Sequence, residues 1–383
     1  MTTILKGYQF RLYPSDEQKK LINQTIGCSR FIYNHFLEER INDYKKTGIS
    51  KTCYEQIKEI PQLCKDYPRL KEVDSCSLRN PVFYLENAYH RYFSQNSGFP
   101  KFKNKDTGNS YKTNNIKNTY KGKIYESIKI DLKNRIITLP KLKEVPIRGY
   151  RNKEVFVGNI KSAVIRREGL KYYVSVLVEE PLIQHSFQPR SIIGLDLGIK
   201  DLIITSHNEK IENNLECTNI NKRIKGLQKA LARCQKGSKN REKIKLKIKR
   251  AYMKLKNIRK HLIHSITNKI VKDNDIIVME DLDIKAMYQT RSIAKHLVNI
   301  PLAEIKRVLE YKCLWQNKKL YTINKYYPSS QICSVCEYQN KKLKDLSIRK
   351  WECPKCGYIH DRDINASINI MFEGLKIYMQ SLV

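Results

Sequence analysis

Four cysteines and three carboxylates carry the chemistry open to this sequence. Cys333-Ser-Val-Cys336 and Cys353-Pro-Lys-Cys356 are two CxxC pairs with sixteen residues between them, and Gly357 follows the second. A tetrahedral Zn²⁺ site needs that spacing, because each knuckle turns tightly enough to aim two thiolates at one ion. With sulfur in all four positions no place is left for water, so one structural zinc is expected. The other seven cysteines (Cys28, Cys53, Cys64, Cys76, Cys217, Cys234 and Cys313) are scattered and expected to be buried small side chains.

The acids sit at the ends of apolar runs. Asp196 lies inside SIIGLDLGIKDLIITS, which reads as a strand, a tight turn and a second strand. A carboxylate there wants a cation or an exposed strand end, since burying it unpaired is expensive. Gly194 and Gly198 beside it keep the backbone open to close approach by a ligand. Glu280 ends a second apolar strand, NDIIVMEDL, and Asp361 and Asp363 precede a helix in HDRDINASINI with an expected apolar stripe of Ile368, Phe372 and Leu375. Taken one at a time, Asp196 reads equally well as a turn residue, and an aspartate at 361 or 363 as a helix cap. Together, Asp196, Glu280 and an aspartate at 361 or 363 can converge on two Mg²⁺ ions, which prefer carboxylate oxygen and suit phosphodiester hydrolysis. No serine or histidine nucleophile is required, and His264 reads as packing or a phosphate contact.

Several elements must position these groups. KGYQFRLYP alternates Tyr8, Phe10 and Leu12 with polar residues and stops at Pro14, one half-buried strand. Residues 15–91 carry helical spacing, for example Phe31, Asn34 and Leu37, with breaks expected near Pro61, Pro68 and Pro81. Residues 98–105, GFPKFKNK, set Phe99 and Phe102 among Lys101, Lys103 and Lys105, the pairing of stacking rings and phosphate-binding charge suited to nucleic acid. Period two returns over residues 127–180, including a hairpin turning at Glu168 and Gly169.

Residues 222–260 hold seventeen Lys and Arg against one acid, Glu242, threaded through apolar positions at helical spacing. This predicts one long helix, or a helical hairpin bent at Gly237 and Ser238, whose basic face includes Lys243, Lys247 and Arg250. A merely solvated face mixes its charges, and this one does not. The whole chain has 383 residues and a formal net charge of +35. So large an excess repels itself unless a polyanion shares the structure, and nucleic acid rewards it through counterion release. No run of eighteen apolar residues occurs and the first residues show no signal-peptide pattern, so a cytoplasmic protein with no membrane partner is expected.

In order, KGYQFRLYP, GFPKFK, GLDLGIKDL, the basic helix, IIVMEDL, CSVC, CPKCG and DRDINAS resemble the TnpB family, transposon-encoded proteins similar to type V CRISPR effectors. The resemblance implies an RNA-guided, metal-dependent DNA endonuclease. Its partners would be a guide RNA from the transposon end and double-stranded target DNA bearing a short flanking motif. It assigns the catalytic acids to Asp196, Glu280 and Asp363, the last because the family's aspartate precedes x-Asn-Ala, here Ile364-Asn365-Ala366.

The implied fold is a multi-domain α/β protein: a small wedge-like β-barrel (1–14 and 112–185) carrying a helical insertion (15–111), then an RNase H-like, RuvC-like nuclease domain (190–330 and 358–383) with an inserted zinc ribbon (331–357). Contacts to the flanking motif are expected around Tyr54, Ser77 and Asn80, without a residue-level match. Glu337 departs from the family, standing where the first knuckle usually has glycine. The alternative function is a guided nucleic-acid-binding repressor or transposition regulator that does not cut. A strand-transfer transposase would need an end-specific DNA-binding domain, and nothing in the sequence resembles one.

Overall fold

The computed structural model describes residues 3–95, 97–120, 123–149, 158–182, 187–213, 218–282, 289, 302–345 and 347–382. Cys217 lies outside them. The chain divides into two compact units, Met1–Leu182 and Ile183–Val383.

In the first unit, β1 (Thr3–Leu12) leads into a 32-residue helix, α1 (Asp16–Thr47). Ser15 caps this helix in a box with Gln18, each side chain satisfying the other's backbone N–H. Two further helices follow, α2 (Cys53–Asp66) and α3 (Ser75–Ser94). Pro61 and Pro81 do not break them, contrary to expectation, but lie within α2 and α3. Ile60 and Leu63 on α2, and Leu78, Val82 and Leu85 on α3, share one core with Ile32, Phe36 and Leu37 of α1. That common burial holds each helix together across the hydrogen bond its proline cannot make. Pro68 does mark a break, opening a 3₁₀ turn, Pro68–Leu70.

The remaining strands are β2 (Ser110–Asn114), β3 (Lys117–Tyr120), β4 (Lys123–Glu126), β5 (Lys129–Asp131), β6 (Ile136–Leu139), β7 (Lys143–Arg148), β8 (Asn159–Glu168) and β9 (Lys171–Pro181). Seven form one sheet in the order β2-β8-β9-β1-β7-β6-β5, with β3 and β4 as a separate hairpin. β1 runs antiparallel to β9 from Thr3↔Pro181 to Leu12↔Tyr172, and the alternation read from its sequence buries Phe10 and Leu12. The expected closed barrel is not found: among the described residues no pairing joins β2 to β5, and the sheet stays open.

The second unit is built on a mixed sheet of order β12-β11-β10-β13-β14. Its strands are β10 (Ile192–Asp196), β11 (Asp201–Thr205), β12 (Lys210–Glu212), β13 (Ile276–Glu280) and β14 (Lys319–Ile323). β10 and β11 are antiparallel, as the strand–turn–strand reading expects, while β10, β13 and β14 are parallel. Between β12 and β13 the basic segment folds as a helical hairpin of α4 (Thr218–Arg233) and α5 (Lys239–Asp273), with Ser238 capping the second helix. α6 (Leu302–Trp315) precedes β14 and packs Leu302, Ile305, Val308 and Leu309 into the same core as Leu195, Ile277 and Met279.

After β14 come a 3₁₀ turn (Lys341–Lys344), a small ladder of β15 (Lys350–Glu352) and β16 (Ile359–Asp361), and the last helix, α7 (Arg362–Gln380). α7 departs from its expected stripe. Its buried positions include Ala366, Ser367, Ile370 and Gly374, while Phe372 is 44% exposed. Small residues face the sheet because the helix lies almost on its backbone. A Cβ on Gly194 of β10 would sit 2.0 Å from the Ser367 carbonyl oxygen, and one on Gly374 would sit 2.3 Å from the Val278 methyls of β13.

Candidate active site

Parallel pairing of β10 with β13 fixes the first two acids. The register runs from Ile192↔Ile276 to Leu195↔Met279, so Asp196 and Glu280 are the next residues on adjacent strand ends. Both are carried there by runs buried on each side, Ile193-Gly194-Leu195 and Ile276-Ile277-Val278-Met279. Asp363 comes from the first turn of α7, brought over β10 by the close approach at Gly194. Gly194 therefore admits a helix and not a ligand, correcting that part of the sequence reading. At Gly198 a Cβ would lie 2.5 Å from the Asp201 carbonyl oxygen, so this glycine serves the turn.

Electrostatics show that the acids share one environment. Burial, then the charges of Glu280 and Asp363, push the Asp196 carboxyl up to about 7. Burial also raises Glu280, while a hydrogen bond from Ser329 opposes the rise. A cleft of about 750 Å³ opens over Asp196 and Asp363, walled by the turn after β10 and by Lys200, Lys210 and Arg349. Asp363 has one ion pair, to Arg349 at 3.2 Å, but that guanidinium is 63% exposed, which makes the link weak and displaceable. Asp361 takes the cap: its carboxylate accepts from the N–H groups of Asp363 and Ile364 and pairs with Lys210 at 2.7 Å. Capping therefore falls to Asp361, and Asp363 is left to face Asp196.

Three carboxylates gathered so that the charges of Glu280 and Asp363 raise the proton affinity of Asp196 suit divalent cations. An oxygen-only set in a partly open cleft fits Mg²⁺, which keeps several waters. His264 stands apart, half-buried on α5 with its Nδ1 3.4 Å from the Tyr311 hydroxyl. Arg349, Lys210 and Ser329 were not found from sequence, since isolated polar residues in loops and short strands carry no periodic signal.

The sulfurs of Cys333, Cys336, Cys353 and Cys356 all lie within 4.8 Å of one another, as four ligands of one zinc would. Each knuckle closes with a backbone hydrogen bond, Glu337 N–H to the Cys333 carbonyl at 2.9 Å and Gly357 N–H to that of Cys353 at 2.8 Å. The closing residues have φ of 60° and 70°, the left-handed region that explains the glycine normally found at the first. His360, which sequence reasoning passed over, places Nε2 3.0 Å from the Cys333 sulfur and stacks on Trp351. Of the six described scattered cysteines, Cys28, Cys53, Cys76 and Cys313 are buried as expected, while Cys64 and Cys234 are half-buried.

The expected nucleic-acid contacts have varied settings. Lys243, Lys247 and Arg250 are exposed on α5, three and four residues apart and so on one face. Lys101 and Phe102 are exposed, Phe102 at 54%. Lys103 is held: its backbone exchanges two hydrogen bonds with Asn34, and its ammonium lies 3.7 Å over the Tyr33 ring. Burial lowers its pKa to about 8. Around the expected motif contacts Tyr54 is 69% exposed, whereas Ser77 and Asn80 are buried and hydrogen-bonded within the unit. Among the described residues no helix is long and apolar enough to cross a membrane.

A family model described as "Probable transposase" matches residues 173–291, one described as "Cas12f1-like, TNB domain" matches 303–370, and one described as "Helix-turn-helix domain" matches 1–48. Over residues 3–48 the structure has a strand and one continuous helix, not two helices about a turn. A Streptomyces pristinaespiralis protein named "Putative RNA-guided DNA endonuclease" is 28% identical over 385 residues, covering 98% of this chain and 90% of its own. An Escherichia coli K12 protein of the same name, InsQ, is 26% identical, covering 97% and 92%. Among solved structures, a Cas12f1 chain from a complex with guide RNA and target DNA superposes with TM-score 0.59 at 15% identity, covering 96% of this chain and 99% of that one.

Proposed function

Since the chain belongs to the TnpB family of transposon-encoded proteins, we propose that it is an RNA-guided DNA endonuclease whose RuvC-like centre is Asp196, Glu280 and Asp363. The observation that carries this reading is the pairing of Asp196 and Glu280 on adjacent parallel strand ends, with Asp363 delivered to them by α7. Its partners are a guide RNA derived from the transposon end and double-stranded DNA with a short flanking motif.

The three carboxylates would hold two Mg²⁺ ions, which when bound supply an activated water and neutralise charge on the leaving oxygen. Asp196, which feels the charges of both Glu280 and Asp363, would hold the ions together with them. Lys200, Lys210 and Arg349 ring the opening with positive charge and draw a phosphodiester toward the acids. A Zn²⁺ held by the four cysteines would be structural, since thiolates fill all four positions. The basic face of α5 and the GFPKFK segment supply contacts to nucleic-acid backbone that are independent of sequence, leaving sequence to base pairing.

The test is to express the chain with its transposon end, sequence the RNA that copurifies, and supply Mg²⁺ with targets matching that RNA beside a randomised flank. The expected result is one defined RNA and cutting restricted to a subset of flanks. Binding of those targets without any cutting would overturn the endonuclease and leave a guided repressor.

A further inference from the structure

Glu280 does not stand alone at its strand end. The hydroxyl of Ser329 donates to Glu280 Oε1 at 2.5 Å, which fixes the rotation of the carboxylate, and among the described residues no hydrogen bond is made to its second oxygen. Every polar group of Ser329 is committed. Its N–H donates to the Tyr327 carbonyl at 2.8 Å, its hydroxyl to Glu280, and its carbonyl accepts from the Asn369 side chain at 2.8 Å.

Asn369 is 4% exposed and reaches further, donating also to the Ile332 carbonyl at 2.6 Å. One turn earlier on α7, Asn365 donates to that same carbonyl and accepts from the N–H of Ser334, inside the first zinc knuckle. The helix that carries Asp363 toward Asp196 thus uses another face to grip the segment running from Ser329 into Cys333.

We propose that Ser329, clamped by Asn369, is a positioning residue for Glu280, so that α7 and the first zinc knuckle jointly set the geometry in which Glu280 and Asp196 take up a divalent ion. This rests on the metal-binding reading of the three acids. The rival is a serine that merely satisfies a buried carboxylate. The two differ in what the hydroxyl controls, cation affinity in one and folding stability in the other.

The experiment uses the full chain with its zinc retained, freed of RNA in high salt, and follows Mn²⁺ binding by electron paramagnetic resonance. Ser329→Ala is expected to weaken Mn²⁺ binding about 10- to 100-fold. Zinc content and melting temperature should stay at wild-type values, and Ser329→Thr, which keeps the hydroxyl, should restore binding. Asn369→Ala should weaken it in the same direction.

Wild-type Mn²⁺ affinity in Ser329→Ala, or equal loss in the alanine and threonine variants, overturns the proposal. Asp196→Ala serves as the reference. If it too binds Mn²⁺ normally, the metal-site reading has failed, an outcome distinct from Ser329→Ala alone behaving as wild type.

Discussion

The carbonyl oxygen of Ser367 on α7 lies 2.0 Å from where a Cβ on Gly194 of β10 would be. Backbone meets backbone at that point, and the contact sets how far α7 descends toward the sheet and where Asp363 stands relative to Asp196. Gly194→Ala cannot be absorbed by turning a side chain, because the obstacle is a helical carbonyl. The variant is expected to lose about 1–3 kcal/mol of stability and to cut DNA at least tenfold more slowly while still copurifying with RNA. Urea unfolding and a cleavage time course check the two parts separately.

Asp196 gives a pH dependence of unusual sign for a carboxylate. Its folded value, about 7, lies above the ordinary 3.8. A group raised in this way contributes stability that is fully present at low pH and lost as pH rises through the folded value. Without divalent ions the fold should therefore lose roughly 4 kcal/mol from this group between pH 4 and pH 8. Asp196→Asn removes that loss, so at pH 8 in Mg²⁺-free buffer the variant should melt above wild type although it cannot cut. Adding Mg²⁺ should stabilise wild type and leave the variant unchanged, as thermal melts at several pH values would show.

Glu337 occupies the left-handed region at φ 60° where its counterpart in the second knuckle is Gly357. A side chain there costs about 1–2 kcal/mol. Glu337→Gly is expected to recover about that much, raising the midpoint of chelator-driven zinc loss and slowing its rate. A zinc-responsive dye reads both, and faster release from the glycine variant would contradict the account.

On α5 the exposed Lys243, Lys247 and Arg250 form a single positive face. If they contact phosphates, replacing all three with glutamine should reduce the slope of log affinity against log salt by about two to three for RNA or DNA. Titrations at four salt concentrations suffice, and an unchanged slope would remove this face from the interface.

What could be read from the sequence follows from how each feature is encoded. Asp196 and Glu280 are legible because two apolar runs each end in a carboxylate, a pattern that neither acid carries alone, and the CxxC pairs because ligand spacing is local. α7 was misread for a physical reason. Its sheet-facing side sets Ala366, Ser367 and Gly374, small where the backbones nearly touch, around buried Ile370, so a stripe of Ile368, Phe372 and Leu375 names the wrong positions.

Pro61 and Pro81 misled in the opposite direction, since local propensity yields to the shared burial of Leu63, Val82 and Leu85. Open pairing at β2 and β5 is a property of long-range register, which alternation within single strands does not encode. The Ser329–Asn369 clamp spans forty residues of sequence and only the fold brings it together.

The central claim is that Asp196, Glu280 and Asp363 act as one cation-binding set that hydrolyses DNA under RNA guidance. The most direct measurement is target cleavage in Mg²⁺ by complexes of Asp196→Ala, Glu280→Gln and Asp363→Asn matched to wild type in RNA content and target binding. Each is predicted to cut at least about a thousandfold more slowly while binding guide and target as wild type does. Cutting at the wild-type rate by any one of the three would contradict the account.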